Sequence, residues 1–325
     1  MSIKDFPLDI PVIDAHVHAY SEEAGRRLRA ASGTAESLFG EGGPPGQLGT
    51  PEELMADLAT VSTSKESGAI LKLLTPTAEM AKAAWERVDR RLTHEEERKM
   101  HDSVKNLLSG RIKRRNAWGT QVSKQYPTLV SYVYVDPHFL SPEENVEEVE
   151  LRVREGAKGI TIHSTRNLHR PEDPRLWPTY EKCQELDLPC LAHSGSEGIK
   201  YSWMGLNSTP LDFKYVLDKF PRMRWIIGHM GVGYWDESIE IAKQYPRERV
   251  MFDTSVTIMP REKTKYSDEF VVDLIKRIGA DRLMFGTDWI FGDVINNTKR
   301  VVELPISDND KELILYKNAQ EFLGK

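Results

Sequence analysis

Short apolar segments alternate with helical patterns along most of this chain, and that alternation limits the folds open to it. The apolar segments lie near residues 12, 70, 131, 160, 190, 226, 251 and 284. The later ones are apolar without clean alternation, which is typical of parallel strands buried on both faces. Eight strand–helix repeats in 325 residues predict a (β/α)8 TIM barrel, an α/β fold that forms one domain over residues 1–325.

A doubly wound sheet is the alternative architecture. No G-x-G-x-x-G motif follows the first strand, so no dinucleotide-binding fingerprint favours that alternative.

Two stretches interrupt the alternation of strands and helices. Residues 21–66 are rich in Gly, Ser, Ala and Pro and predict a long loop, within which a helix begins at Thr50 with Pro51 as its first residue. Residues 77–124 place apolar side chains at helical spacing among dense charge and predict a helical insertion after strand 2.

Composition excludes some classes of partner. The net charge of −6 and the lack of a long basic run argue against nucleic-acid binding. No apolar run reaches the roughly 18 residues that a membrane span needs, and no export signal is evident. The two cysteines fit free thiols in a reducing compartment. We therefore expect a cytoplasmic protein with a small-molecule substrate and no membrane contact. We also expect a homo-oligomer, in the form of a dimer.

Polar side chains fall where the predicted strands end. His16 and His18 end strand 1, two residues apart, so that both point to one face of the strand; Asp14 is expected on the same face. The other strand-end side chains are His163, His193, His229 and Asp288, on strands 4, 5, 6 and 8. In a barrel these ends meet on one rim, where the chemistry is done. Imidazole and carboxylate groups together predict a site for zinc, manganese, iron or cobalt.

Five motifs in order along the chain resemble those of the amidohydrolase superfamily, in its aminocarboxymuconate-semialdehyde decarboxylase-like branch. They are DAHVH, AHSG, GHMG, FGTDW and the terminal YKNAQEFLG. The resemblance implies that His16, His18, His193 and Asp288 bind metal. It also implies that His229 contacts the substrate or the activated water.

One position departs from the family pattern. Relatives with two metals usually bridge them with a carboxylated lysine or a glutamate from strand 4, where this chain has Thr161. Lys158 sits at the opposite end of that strand. We therefore expect one divalent ion, zinc or alternatively manganese, and His163 leaves a second, weaker site open.

The same site permits two reactions. A divalent ion lowers the pKa of a bound water to about 7, which favours hydrolysis of an amide, ester or lactone, with Asp288 moving the proton and His229 polarising the substrate. A Gly-rich loop at residues 40–49 could admit that water. Alternatively, the metal holds the substrate while Asp288 or His229 protonates carbon, and carbon dioxide leaves. From the sequence we expect a metal-dependent hydrolase, with non-oxidative decarboxylation second and an inactive barrel last.

Substrate contacts are expected from residues beside the metal ligands. Arg166 suits a substrate carboxylate, because a guanidinium group binds a carboxylate through two hydrogen bonds. Trp289 suits a planar substrate, and His163 lies at the end of strand 4. Further candidates follow strand 5, namely Lys200, Tyr201 and Trp203.

Overall fold

A computed structural model of the protein describes residues 6–31, 46–88, 91–195 and 208–324. Eight parallel strands pair in chain order, from the first to the eighth. They are β1 Ile13–Val17, β2 Gly68–Lys72, β3 Leu129–Tyr134, β4 Gly159–Ile162, β5 Cys190–Ala192, β6 Trp225–Ile227, β7 Val250–Asp253 and β8 Leu283–Met284. The sheet closes because the Ala15 amide donates to the Phe285 carbonyl over 2.7 Å and Val17 bridges to Trp289. The predicted barrel is confirmed.

Helices follow the strands and cover the outside of the barrel. They are α1 Glu22–Ala31, α2 Pro51–Val61, α3 Thr77–Trp85, α4 His94–Gln125, α5 Pro142–Arg154, α6 Ser164–Asn167, α7 Trp177–Glu185, α8 Lys214–Lys219, α9 Trp235–Gln244, α10 Asp268–Ile278, α11 Val294–Glu303, α12 Asp308–Glu312 and α13 Asn318–Leu323. None of the helices in the described ranges is long and apolar enough to cross a membrane.

The apolar interior has two layers. An inner cluster fills the barrel with side chains such as Ile13, Ile70 and Leu191, and α13 joins it through Phe322. A larger outer cluster lies between the strands and the surrounding helices. With the barrel packed in this way, polar side chains on the inner face occur at the strand ends, where the site is found.

The predicted helical insertion consists of α3 and α4. The 32-residue α4 begins at a capping box, in which Thr93 and Glu96 satisfy each other's backbone amides, and its first turns are charged and exposed. Its second half packs on the barrel: Asn116 donates to the Tyr134 carbonyl over 3.0 Å and accepts from the Tyr134 amide over 2.9 Å. The insertion therefore supplies the helix that connects β2 with β3.

Two parts of the stretch after β1 are helical. The helix expected at Thr50 is present, with Thr50 and Glu53 forming a capping box. The loop expectation is wrong for α1, whose ion pairs Glu22–Arg26 and Glu23–Arg27 join successive helical turns. Residues 40–45 of the Gly-rich loop lie outside the described residues, as do the candidates Lys200, Tyr201 and Trp203.

Candidate metal centre

Three predicted metal ligands converge at the rim of the barrel. His18 Nε2 lies 3.0 Å from Asp288 Oδ1, and His16 Nε2 lies 3.3 Å from the same oxygen. One ligand atom from each residue lies within 4.8 Å of the other two. Both imidazoles are buried, and the Asp288 side chain is 20% exposed, so the centre is open at the carboxylate.

A shift in the register of β1 gives His16 its direction. Ile13 and Ala15 belong to the inner cluster, whereas Val12 and Val17 belong to the outer one. Strict alternation would place residue 16 outside, but the pairing with β2 shifts between Asp14 and Val17. Such irregularities re-aim side chains beside functional sites.

The expectation that Asp14 shares the face of His16 and His18 is wrong. Asp14 accepts hydrogen bonds from the backbone amides of His16 and Thr287, each at 3.0 Å, and from the Thr287 hydroxyl. It thereby ties β1 to the chain after β8. Burial raises the pKa of Asp14 to about 7.

Asp253, at the end of β7, is a site residue that the sequence analysis missed. Its Oδ2 lies 2.9 Å from His16 Nδ1, and its Oδ1 accepts from the His229 amide over 3.1 Å. Burial alone would raise the pKa of Asp253, but His16, His229 and the hydrogen bond from Ser255 together outweigh burial and lower it to about 2. The carboxylate therefore stays ionised and turns the other nitrogen of His16, Nε2, toward Asp288. Applying the strand-end rule to the motif RVMFD would have found it.

The remaining histidines form a buried cluster beside these residues. His229 Nδ1 lies 2.7 Å from Ser255 Oγ, and its Nε2 lies 2.9 Å from His193 Nδ1. The His193 ring stacks on His163 with 4.1 Å between centroids. His163 Nδ1 accepts from the Arg166 amide over 3.3 Å, which caps α6. His229 thus holds His193 from one side, and His163 covers it from another.

His193 stands slightly apart from the three converging ligands. Among the described residues it belongs to neither of the two groups whose ligand atoms lie within 4.8 Å of one another. Its Nε2 is nevertheless buried without a hydrogen-bond partner in that part of the chain. The second such group, His16 with His229 and Asp253, includes the hydrogen-bonded pair of His16 and Asp253.

These residues fit a divalent ion. Atoms 3.0 and 3.3 Å apart are close to the spacing of about 3.3 Å that ligands have in a tetrahedral site with bonds of 2.0–2.1 Å. Asp253 behind His16 forms the carboxylate–histidine arrangement that orients metal-binding imidazoles. The unpartnered His193 nitrogen offers a fourth donor. His193 as a ligand remains a prediction.

The ionisable side chains of the site have shifted pKa values. Burial would raise the pKa of Asp288, but the hydrogen bond from His18 and the nearby His16 outweigh it and hold that pKa well below its usual range. Burial lowers the pKa of His229 to about 4, so the imidazole is neutral at neutral pH. Burial also lowers the pKa of Lys72, at the end of β2, to about 8. Lys72 is the second site residue that sequence reasoning missed, because a lysine inside GAILKLL looks like part of an apolar strand.

Of the three predicted substrate contacts, Arg166 and His163 lie beside the buried histidines, and their contact with a substrate remains a prediction. Arg166 lies near the site and pairs with Glu79 of α3, its Nε donating over 2.7 Å. The predicted contact by Trp289 is wrong for this structure: the side chain is fully buried in the outer cluster, and its Nε1 donates to Asp57 of α2 over 3.1 Å. Asp288 takes a left-handed φ of 60°, so the chain turns there and the indole points away from the rim.

The barrel and its His/Asp rim define the class of protein. The sequence profile of the amidohydrolase family matches residues 13–325, and the chain belongs to that family. The predicted branch is confirmed by its relatives. The chain is 26% identical to γ-resorcylate decarboxylase of Polaromonas sp. over 214 residues, which are 55% of this chain and 66% of that protein. It is 24% identical over 215 residues to 2-amino-3-carboxymuconate-6-semialdehyde decarboxylase of Dictyostelium discoideum, covering 56% of this chain and 58% of the relative.

Solved structures share the whole fold. A crystal structure of 5-carboxyvanillate decarboxylase from Novosphingobium aromaticivorans, complexed with manganese and 4-hydroxy-3-methoxy-5-nitrobenzoic acid, superposes with a TM-score of 0.64. The match covers 97% of this chain and 96% of that protein at 18% identity. At this identity the likeness shows the fold alone.

The comparisons correct the expected reaction. An enzyme is supported, as the sequence predicted, but the expectation of hydrolysis is wrong because the named relatives are decarboxylases. The sequence motifs could not separate the two reactions, since both use the same metal ligands. The matched segments span two thirds or less of these relatives' lengths.

Proposed function

We propose that the protein is a metal-dependent, non-oxidative decarboxylase of an aromatic or unsaturated carboxylic acid. The observation that carries the proposal is the converging group of His16, His18 and Asp288, in a chain whose named relatives are decarboxylases. A divalent ion bound there supplies positive charge that stabilises negative charge developing on a substrate oxygen. The nitrogen and oxygen donors suit both zinc and manganese.

Asp288 is the side chain best placed to move the proton. It is more exposed than the histidines around it, and its carboxylate is ionised, because the neighbouring His18 and His16 hold its pKa well below the usual range. It can take a proton from water or from a substrate hydroxyl and deliver it to carbon. The bond between that carbon and the carboxylate breaks, and carbon dioxide leaves without the bonding electrons. The electron pair that stays on carbon takes the proton.

His229 positions the site in this proposal. It is neutral and hydrogen-bonded to both Ser255 and His193. In that arrangement it fixes the ring of His193. A direct contact between His229 and the substrate, which the family resemblance implies, remains part of the proposal.

A carbon dioxide assay tests the proposed reaction. The purified protein is stripped with a chelator, reloaded separately with zinc and manganese, and offered 2,6-dihydroxybenzoate, 5-carboxyvanillate and 2-amino-3-carboxymuconate-6-semialdehyde. We expect one equivalent of carbon dioxide from at least one acid, with activity that depends on the added metal. Hydrolysis of esters or lactones, with no carbon dioxide from any acid, would refute the proposal.

A further inference from the structure

A lysine reaches the metal centre from the inside of the barrel. Lys72 is the last residue of β2, and Ile70, two positions earlier, belongs to the inner cluster. Since residues two apart on a strand share a face, Lys72 points into the barrel. It is 1% exposed, and its Nζ lies 3.2 Å from His16 Nε2.

This lysine lacks the usual partner of a buried cation. Its hydrogen-bond partner within the described residues is His16, and no carboxylate of that part of the chain lies within 4.0 Å of its Nζ. Among the described residues one other lysine, Lys311, is nearly fully buried, and it pairs with Asp308 at 3.5 Å. Burying an unpaired ammonium group is costly, and such groups are rare unless paired. A bound anion would supply the partner that Lys72 lacks among the described residues.

Metal binding would remove the hydrogen-bond partner that Lys72 has among the described residues. His16 Nε2 is the nitrogen that faces Asp288, and it is the atom that would bind the ion. With an ion bound there, Lys72 would lose this partner and lie beside a dication. Asp288 and Asp253 balance the two charges of the ion, while Arg166 is already balanced by Glu79. The Nζ of Lys72 would then be a buried donor without a hydrogen-bond partner among the described residues.

We infer that Lys72 is a substrate-binding residue whose ammonium group binds the carboxylate of the substrate beside the metal. The inference rests on the proposed function and names the residue that binds the carboxylate of its substrate. It also replaces Arg166, which Glu79 holds, as the fixed cation expected for the substrate carboxylate. The charged hydrogen bond would hold the acid in one orientation in front of Asp288.

Binding measurements test this role separately from the release of carbon dioxide. The metal-loaded protein is titrated calorimetrically with 2,6-dihydroxybenzoate and with resorcinol, which is the same ring without the carboxylate. We expect the wild type to bind the acid at least about 10-fold more tightly than resorcinol. Lys72→Met should lose about 10- to 100-fold in affinity for the acid and little for resorcinol. Lys72→Arg, which keeps the charge, should retain part of the preference.

Two controls accompany these titrations. Lys311→Met removes a buried lysine that is paired elsewhere and should leave both affinities unchanged. Metal content, measured by elemental analysis, should stay the same in every variant, because Lys72 is not proposed as a ligand. Lys72→Met replaces a buried ammonium group with an apolar chain of similar length. If that variant does not fold, the preference of the wild type for the acid over resorcinol still tests the inference.

Three results would overturn the inference: a wild type without preference for the acid, a Lys72→Met variant that keeps the preference, or equal losses for acid and resorcinol. The outcome of the carbon dioxide assay is independent of these titrations. Lys72-dependent binding without carbon dioxide release would refute decarboxylation and leave the anion site standing. Release of carbon dioxide without Lys72-dependent binding would support decarboxylation and refute the role of Lys72.

Discussion

Asp253 Oδ2 lies 2.9 Å from His16 Nδ1, and both side chains are fully buried. This hydrogen bond fixes the imidazole so that Nδ1 faces the carboxylate and Nε2 faces Asp288 at 3.3 Å. A carboxylate behind a metal-binding histidine sets its tautomer and raises its basicity. Asp253 thus orients a metal-binding imidazole at the rim of the barrel without itself facing the ion.

Asp253→Asn tests this relationship. The amide keeps the shape of the side chain but removes the charge that orients His16, so we expect metal affinity to fall by about 10- to 100-fold. Competition with a chromogenic chelator measures that affinity. Asp236→Asn, which removes an exposed carboxylate on α9, is the matched control and should leave metal affinity unchanged. Unchanged affinity in Asp253→Asn would show that His16 does not depend on this pair.

His193 and His229 should respond differently to the same substitution. His193→Asn removes the buried nitrogen that has no partner in the described structure, and we expect metal content to drop. His229→Asn removes a group that bonds His193 and Ser255 but lies behind them. Its metal content should stay near the wild-type value, while turnover falls by about 100-fold or more. Equal metal loss in both variants would place His229 among the ligands instead.

Acid should destabilise the metal-free protein. Burial lowers the pKa of all six buried histidines of the described chain, namely His16, His18, His163, His169, His193 and His229. Histidines in the unfolded chain titrate near 6.5, whereas folded His229 titrates at about 4. Between these values the unfolded state binds more protons, so stability present above pH 6.5 is lost as the pH falls toward 4.

Asp14 opposes this trend and provides the control. Its pKa rises from 3.8 to about 7 in the folded protein, so it adds stability as the pH falls through that interval. Urea unfolding of the metal-free protein between pH 4 and 7 measures the sum, and we expect the six histidines to dominate. Asp14→Asn should lose stability more steeply on acidification than the wild type. A stability that rises as the pH falls from 6.5 to 4 would contradict the account.

The sequence was sufficient for the barrel and for much of its rim. Buried parallel strands appear as apolar runs whatever their neighbours are, so all eight could be placed without knowing the pairing. Strand ends share one rim in this fold, which brought His16, His18 and Asp288 together on topology alone. Asp253 and Lys72 obey the same rule but were not predicted, because a single aspartate or lysine at the end of an apolar strand is a weaker signal of a metal site than a histidine.

Side-chain directions beyond regular strands could not be predicted in this way. The register shift in β1 depends on pairing with β2, which is tertiary information, and it reversed the expectation for Asp14. Trp289 follows a residue with positive φ, after which strand alternation no longer applies. Helix α1 was hidden by the Gly- and Pro-rich composition averaged over residues 21–66, although EEAGRRLRAA carries its own helical charge pairs.

Isotope labelling of the product tests the proposed reaction most directly. Turnover of an accepted acid is run in water carrying both ²H and ¹⁸O, and the organic product is examined by mass spectrometry and NMR. Decarboxylation predicts one equivalent of carbon dioxide, one deuterium at the carbon that carried the carboxylate, and no ¹⁸O incorporated by bond cleavage. A product acid that carries ¹⁸O, formed without carbon dioxide release, would contradict the account and restore hydrolysis.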